Sequence, residues 1–224
     1  MASLLAEDVE NRASQGDVDA QLLLARRCQT EGAREKAGEW LRRAAASGTA
    51  DAKAALGRHL LTEQPASPAE GLRLTREAAD SGHGEAMHLL AVLDASGQLD
   101  PANWPQALAR LKRAAELGYT PAASQLALLA GDSATSAAIA RGEGTAPETL
   151  DRLHRSVDLR RWFELPRARV VSPAPRVAVV EKFVSPEVCD WMIASARPYL
   201  RTARIDDPGS GQPIYGEGRT NSSA

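Results

Sequence analysis

The side chains that could do chemistry are few and scattered along the chain. His83-Gly84-Glu85, with His88 one turn further on, has a spacing that could supply metal ligands. Cys189 carries a thiol, but no histidine lies near it in sequence to act as a base, and its helix position predicts burial. Asp206-Asp207 could pair their carboxylates, yet Pro208-Gly209 follows, which favours a polar turn. We therefore expect no catalytic residue and no metal ligand here: solvent-facing histidines and an inert, buried Cys189.

Two further patterns are also better explained by structure than by ligand binding. Gly142-Glu143-Gly144 and Gly216-Glu217-Gly218 each lack the third glycine of a dinucleotide fingerprint, so both are interpreted as turns. Seven arginines between positions 152 and 176 could grip RNA, but the formal net charge of -2 opposes general attraction to a phosphate backbone. We expect a solvated helix face that runs into an interdomain seam, with a basic RNA-binding adaptor as the weaker alternative.

Composition favours closely packed helices. Of the 224 residues, 43% are hydrophobic and only 4% aromatic, so small and aliphatic side chains must build the core. Cys28 and Cys189 offer neither a disulfide framework nor a zinc spacing. The N-terminus lacks the features of a signal peptide, and no run approaches the roughly 18 apolar residues of a membrane span. The expected location is the cytoplasm, with no membrane contact.

The elements that must position any site come from an internal repeat. RRAAASG, REAADSG and KRAAELG end at Gly48, Gly82 and Gly118, and a shorter RASQG ends at Gly16. Three columns follow each glycine: Ala at +4, Leu at +8 and a small residue at +9. In chain order these are Ala20, Ala52, Ala86, Ala122; Leu24, Leu56, Leu90, Leu126; and Ala25, Gly57, Ala91, Ala127. Agreement of several columns over four units indicates a true repeat.

This spacing predicts a stack of helix pairs. A first helix begins after each glycine and turns its +4 and +8 residues to one face. A second helix precedes the next glycine, where a positive φ ends it; its apolar stripe includes Leu41 and Ala44 in one unit and Leu108 and Leu111 in another. Residues 131–160 are expected to add one or two closing helices, with a break at Gly142. Neighbouring pairs should stack into a right-handed α-α superhelix.

The helix-pair period resembles that of tetratricopeptide repeats, and the Ala-x-x-x-Leu-Ala/Gly column with its KRAAELG ending is more similar to the related Sel-like repeats. The resemblance covers residues 12–130. The sequence departs from the family in lacking the usual Tyr-x-x-Gly after the first helix, where HLLTEQ and LDASGQ stand instead. The resemblance implies a scaffold that binds a protein partner or protein substrate through the repeat surface and has no chemistry of its own.

The pattern changes after Arg160. RVV and RVAVVEKF are typical of strands, and Ser185-Pro186-Glu187 predicts an N-cap, a first-turn proline and an acidic first turn of a helix. That helix is expected to bury Val188, Met192 and Ile193, with Trp191 alongside. Residues 200–205 should be extended, and IYGEGRTNS should form another strand.

This stretch resembles the opening of a prolyl 4-hydroxylase-type 2-oxoglutarate/Fe(II) dioxygenase domain. The family phrase is matched by Phe183, Val184, Ser185, Glu187, Cys189, Asp190 and Ile193, and its Arg-Thr-Ser strand by Arg219-Thr220, with Asn221 in place of Ser. The resemblance implies a double-stranded β-helix (jelly-roll) fold, with Arg219 and Asn221 on the substrate side. It also implies Fe(II), 2-oxoglutarate and ascorbate for a full-length parent, whose His-x-Asp and later His would lie downstream of residue 224.

Together these observations predict a mainly α chain with two modules: residues 1–158 as a Sel-like solenoid, and 159–224 as an incomplete part of a dioxygenase domain. We expect the chain to be truncated, to bind no cofactor and to be inactive by itself. The competing hypothesis is a non-enzymatic repeat adaptor whose C-terminal piece is a remnant or a docking segment. Nucleic acid is not the expected partner in either case.

Overall fold

The computed structural model describes residues 2–62, 67–98, 100–164, 166–197, 200–202, 205–206, 213–214 and 222–223, with side chains for most of them. The chain divides into two compact units, Met1–Val157 and Asp158–Ala224, and each is described by itself. Among the described helices, none is long and apolar enough to cross a membrane.

The first unit is built from consecutive antiparallel-type helix pairs, as the repeat predicts. Its helices are α1 (Ala2–Ser14), α2 (Val18–Thr30), α3 (Arg34–Ala45), α4 (Ala50–Thr62), α5 (Pro68–Asp80), α6 (Gly84–Ser96), α7 (Trp104–Glu116), α8 (Thr120–Ala130), α9 (Ser133–Ala140) and α10 (Pro147–Ser156). The glycines that define the repeat, Gly16, Gly48, Gly82 and Gly118, all have φ between 80° and 95°. A side chain at such a φ would be strained, which explains why glycine ends these helices.

The three predicted columns form the core. Every alanine at +4 and every leucine at +8 is buried, with no more than 6% of its surface exposed. The second helices contribute the facing stripe, in which Leu41, Ala44, Leu111 and Ala114 are buried. The mainly α solenoid expected from the sequence is therefore confirmed.

The small residue at +9 allows α4 and α5 to approach closely. A Cβ added to Gly57 on α4 would lie 2.5 Å from Thr75 Oγ1 and 3.0 Å from the Gly71 carbonyl oxygen on α5. A Cβ on Gly71 would lie 2.9 Å from Leu61 Cγ. The buried Thr75 hydroxyl donates to the Gly71 carbonyl at 2.8 Å, so it is satisfied within its own helix. Backbone therefore packs against backbone where α4 meets α5.

Side-chain caps fix several helix starts. Asp17, Asn103 and Asp132 accept from the backbone N–H three residues on, at Ala20 (3.0 Å), Gln106 (3.1 Å) and Thr135 (2.8 Å). Each cap satisfies one of the N–H groups that a helix leaves without an internal partner. Ser67 precedes α5 without a side-chain cap bond.

Helices α9 and α10 close the stack. Gly142 has φ 82° and breaks the chain between them, as predicted, and Pro147 is the first residue of α10. Leu150 and Leu153 of α10 are 1% and 0% exposed. Outside this apolar contact, Asp151 pairs with Lys112 of α7, and Arg152 pairs with Asp132 at 2.8 Å.

The second unit carries the predicted hairpin and helix. After α11 (Arg160–Phe163), strands β1 (Arg169–Pro173) and β2 (Arg176–Val179) pair antiparallel, with a bulge between Val170 and Ser172. Helix α12 (Pro186–Ala196) follows. The remaining strands are two residues long: β3 (Arg201–Thr202) pairs with β6 (Ser222–Ser223), and β4 (Ile205–Asp206) with β5 (Pro213–Ile214).

The expected burial of α12 is wrong. Met192 is 54% and Ile193 57% exposed, and Val188 is only half-buried. An apolar stripe is buried only when another element covers it, and in the described part of this unit the two-stranded hairpin does not. Cys189 is likewise exposed rather than a core thiol.

Candidate functional site

A groove of about 330 Å³ crosses the first helices of three successive repeat units. Its residues come from α2, α3, α4 and the start of α6: Asp19, Leu22, Leu23, Arg26, Gln29, Leu41, Asp51, Ala54, Ala55, Arg58, His83 and Glu85. It is the larger of the two principal concavities in the described residues. We therefore treat it as the candidate site.

The groove is the second stripe of the same helices whose first stripe builds the core. Counted from the repeat glycines, its α2 and α4 residues occupy positions +3, +6, +7 and +10, and α2 adds Gln29 at +13. Residues at i, i+3, i+4 and i+7 share one face of a helix. The core columns at +4 and +8 point to a different side, so the repeat presents a core face and a groove face on each first helix.

Apolar side chains form the middle of the groove. Leu41 of α3 and Ala54 of α4 are buried at its base, at 2% and 6% exposure. Leu22 and Ala55 are half-buried above them, and Leu23 has 53% of its surface exposed. Among the side chains that the structure describes in the first unit, Leu23 and Val92 are the exposed large apolar ones. A half-exposed leucine at the rim of a concave site is suited to contact with another molecule.

Charged side chains flank the apolar centre. Two polar contacts join α4 to the start of α6: Arg58 Nε forms an ion pair with Glu85 Oε1 at 3.3 Å, and Asp51 Oδ1 lies 3.3 Å from His83 Nε2. On α2, no described side chain comes within 4 Å to form an ion pair with Asp19 or Arg26. The groove thus has charges that are already paired at one end and charges open to a ligand at the other.

His83 is a structural residue of this groove. Its Nδ1 accepts a hydrogen bond from the Ala86 backbone N–H at 3.2 Å, which caps α6. Nδ1 must then be unprotonated, so in the neutral ring Nε2 carries the proton and donates towards Asp51. His88, one turn on, contacts Gln125 of α8 at 2.7 Å and packs against Tyr119 with ring centroids 5.3 Å apart.

The expectation that these histidines face solvent is therefore wrong in detail, since both are half-buried. Their ring nitrogens engage protein groups, and no cluster of three His, Cys, Asp or Glu side chains in the described residues is arranged to hold a metal ion.

Several arginines of the basic stretch are engaged with carboxylates. Arg152 pairs with Asp132 at 2.8 Å, Arg160 with Asp158 at 3.2 Å and Arg169 with Glu181 at 3.2 Å. The Thr135 backbone N–H has the largest effect in lowering the pKa of Asp132, and Arg152 adds to it by hydrogen bonding and charge. Arg160 lowers the pKa of Asp158 in the same way. The charge of each of these three arginines is therefore compensated within its own unit.

The residues suggested for substrate binding, Arg219 and Asn221, lie outside the described residues. Within the groove, sequence reasoning singled out His83 and Glu85 for a different role and Leu41 as part of an apolar stripe. The signal that could have found the rest is a pair of columns: an acid at +3 in Asp19, Asp51 and Glu85, and arginine at +10 in Arg26 and Arg58.

The geometry defines an α-solenoid of short helix pairs, and comparison with solved structures identifies its type. The chain is similar to a Sel1 repeat protein from Oxalobacter formigenes, with a TM-score of 0.52, 22% identity, and coverage of 68% of this chain and 61% of that one. It is also similar to c5321, described as a protective antigen of uropathogenic Escherichia coli strains displaying an SLR fold (TM-score 0.47, 20% identity, 75% and 45% coverage). The helical unit has the Sel1-repeat fold, as the sequence predicts.

A different relative matches a shorter piece. Prolyl 4-hydroxylase 1 of Arabidopsis thaliana is 38% identical over 56 residues, which is 25% of this chain. The match spans a fifth of that relative's own length. No protein-family model matches the chain.

Proposed function

We propose that the helical unit is a protein-binding scaffold. The observation that carries this proposal is the groove across α2, α4 and α6, which has an apolar centre, charged flanks and the half-exposed Leu23. Stacked repeats of this kind present extended surfaces that a single globular domain of the same size does not. An apolar centre with a polar rim is also the usual anatomy of a protein-binding surface.

Site-specific photo-crosslinking tests this function. A photo-reactive amino acid at position 23 lies in the groove, and the same amino acid at Glu39, an exposed position of α3 outside the groove, is the matched control. We expect a discrete crosslinked protein in cells of the source organism from position 23 only. Its purified form should then bind the unmodified chain, and Ala55→Glu, which places a charge in the groove, should weaken that binding. Equal crosslinking from both positions, or none from position 23, would contradict the scaffold.

The scaffold serves, in our proposal, a 2-oxoglutarate/Fe(II) dioxygenase of the prolyl 4-hydroxylase type. The support is the 38% identity to prolyl 4-hydroxylase 1 over 56 residues. We assign that match to the second module, residues 159–224, because the family phrase lies there, around Ser185, Glu187 and Cys189. The first module, residues 1–158, would then recruit a protein substrate or partner to the catalytic domain.

The described residues do not fit the iron of that family. All four histidines, His59, His83, His88 and His154, belong to helices of the first unit or to the cap of α6, and no described group of three potential ligands could hold a metal. We therefore derive no catalytic step from this chain. Fe(II), 2-oxoglutarate and ascorbate are proposed only for a longer parent protein.

Two measurements separate this hypothesis from a pure repeat adaptor. Purified chain should neither bind Fe(II) stoichiometrically nor decarboxylate 2-oxoglutarate; if it does either, the ligand-set argument is wrong. Coding DNA read beyond codon 224 should continue into a His-x-Asp and a later His, whereas a stop codon would favour the adaptor. Both cysteines, Cys28 and Cys189, are free thiols, which suits the reducing cytoplasm that we propose as its location.

A further inference from the structure

The charges of the groove lie in two rows that run across the repeats. The acidic row contains Asp19, Asp51 and Glu85, one residue from each of α2, α4 and α6. The basic row contains Arg26 and Arg58, seven residues further along α2 and α4. Seven residues of α-helix rise about 10.5 Å, so the rows are separated by about that distance along the helix axes. Leu22 and Leu23 lie between the two rows on α2.

The two ends of these rows differ among the described residues. Arg58 of α4 forms an ion pair with Glu85 of α6 at 3.3 Å, and Asp51 lies 3.3 Å from His83 Nε2. Asp19 and Arg26 make no ion pair with a described side chain, and half of the Leu23 surface between them is exposed. This end combines an anion and a cation that no described side chain pairs with, and an apolar contact, on a single helix face.

Helix stability explains only part of the arrangement. An acid in the first turn, such as Asp19, favours the positive end of the helix dipole. Arg26 lies before the last turn, where Arg27 already provides the favourable positive charge. Exposure of Leu23 adds nothing to the stability of α2. Arg26 and Leu23 are therefore available for contact with another molecule.

We propose that the groove binds an extended peptide segment of the pattern basic–x–apolar–x–acidic, in either chain direction, an inference that rests on the proposed scaffold function. Alternate side chains of an extended strand point to the same side, so all three specified residues face the groove. The apolar residue follows the basic one by about 6.6 Å, close to the roughly 6 Å that separates Leu23 from Asp19 along α2. The acidic residue lies about 13 Å from the basic one, within reach of the long Arg26 side chain.

The test uses the full chain and short fluorescent peptides with serine and alanine flanks, and binding is measured by anisotropy. The first peptide carries Lys-Ala-Leu-Ala-Glu and the second carries the same residues in reverse order. Whichever of the two binds more tightly is the reference peptide. The third peptide is the reference with its Glu replaced by Lys. Loss of one exposed ion pair should weaken binding about twofold to fivefold. Arg26→Glu should invert the preference, so that the peptide with two lysines binds better than the reference.

Arg27→Glu is the matched control, because it makes the same charge change at the next position of α2 but lies outside the groove. It should keep the wild-type order of affinities. Asp19→Lys should favour a peptide with glutamate at both charged positions. Raising the salt concentration should weaken the reference peptide more than a neutral version of it.

The proposal is overturned if Arg26→Glu weakens all peptides equally, if Arg27→Glu inverts the preference too, or if no peptide binds at about 1 mM. If position 23 still crosslinks to a protein when any of these results is obtained, the scaffold function stands and only the proposed peptide pattern is rejected. Peptide binding with the expected charge inversion but no cellular crosslink would instead overturn the scaffold function.

Discussion

Replacement of Gly57 by alanine tests how closely α4 and α5 must approach. Alanine is intrinsically the better helix former, by about 1 kcal/mol in a helix interior. In this structure the new Cβ would lie 2.5 Å from Thr75 Oγ1 and 3.0 Å from both the Thr75 nitrogen and the Gly71 carbonyl oxygen. Ordinary van der Waals contact begins near 3.4 Å, so the first contact is about 0.9 Å too short.

The neighbours of Gly57 cannot easily move away. Thr75 is fully buried and β-branched, and its hydroxyl is held by the Gly71 carbonyl at 2.8 Å. The other two contacts are to backbone, so relief requires a shift of α5 as a whole. Overpacking of this kind costs about 1–3 kcal/mol, and the three simultaneous contacts place Gly57→Ala near the upper end. After the propensity gain, we expect a net loss of about 2 kcal/mol.

Urea unfolding followed by far-UV circular dichroism measures this loss. Thr75→Ala removes the closest of the three contacts but leaves the two to backbone. Gly57→Ala should therefore cost less in the Thr75→Ala background than in the wild-type chain, and the difference is the coupling between the two positions. A Gly57→Ala variant as stable as the wild type, or an equal cost in both backgrounds, would refute the close-approach argument.

Two further predictions concern the closing helix and a capping carboxylate. Leu153→Ala should destabilise the chain by about 2–5 kcal/mol because Leu153 is fully buried. Leu23→Ala, at a half-exposed leucine, should cost less than about 1 kcal/mol. Similar losses of stability in the two variants would contradict the packing of α10. The Thr135 backbone N–H and Arg152 lower the pKa of Asp132, so its stabilising effect is present above the unfolded pKa of about 3.9 and is lost as pH falls through the folded value. Asp132→Asn keeps an N-cap residue but removes the charge. The difference in urea midpoint between wild type and variant should therefore be constant above about pH 5 and shrink below about pH 4. A difference that does not depend on pH would refute the ion-pair contribution.

The repeat made the first unit predictable because its strongest signals report burial. An alanine at +4 and a leucine at +8 repeat only if the same face is covered in every unit, and glycine recurs only where φ is positive. The groove was not predicted because its charged columns, the acid at +3 and the arginine at +10, do not indicate a shared surface when a single helix is considered. Asp19 and Arg26 define a charged face only once α2, α4 and α6 are known to lie side by side.

The second unit shows the opposite limit of sequence reasoning. Ser185 and Pro186 predicted the start of α12 correctly because capping is local, and the Ser185 hydroxyl accepts from the Val188 N–H at 3.5 Å. Burial of Met192 and Ile193 was predicted wrongly because it depends on which element covers them. A stripe of apolar residues specifies a face, and only a partner element makes that face a core.

The first helices therefore perform two tasks with two stripes, and substitutions in the stripes should have separable effects. On α4, Leu56 and Gly57 pack inward and hold α5 close, whereas Asp51, Ala55 and Arg58 line the groove. An inward change such as Leu56→Ala should lower stability by about 2–5 kcal/mol, and any loss of partner binding should follow unfolding. Arg58→Gln should leave the urea midpoint nearly unchanged, since an exposed ion pair contributes little, yet should alter binding to a crosslinked partner. Equal effects of both changes on stability would mean that the groove face is part of the core and not a recognition surface.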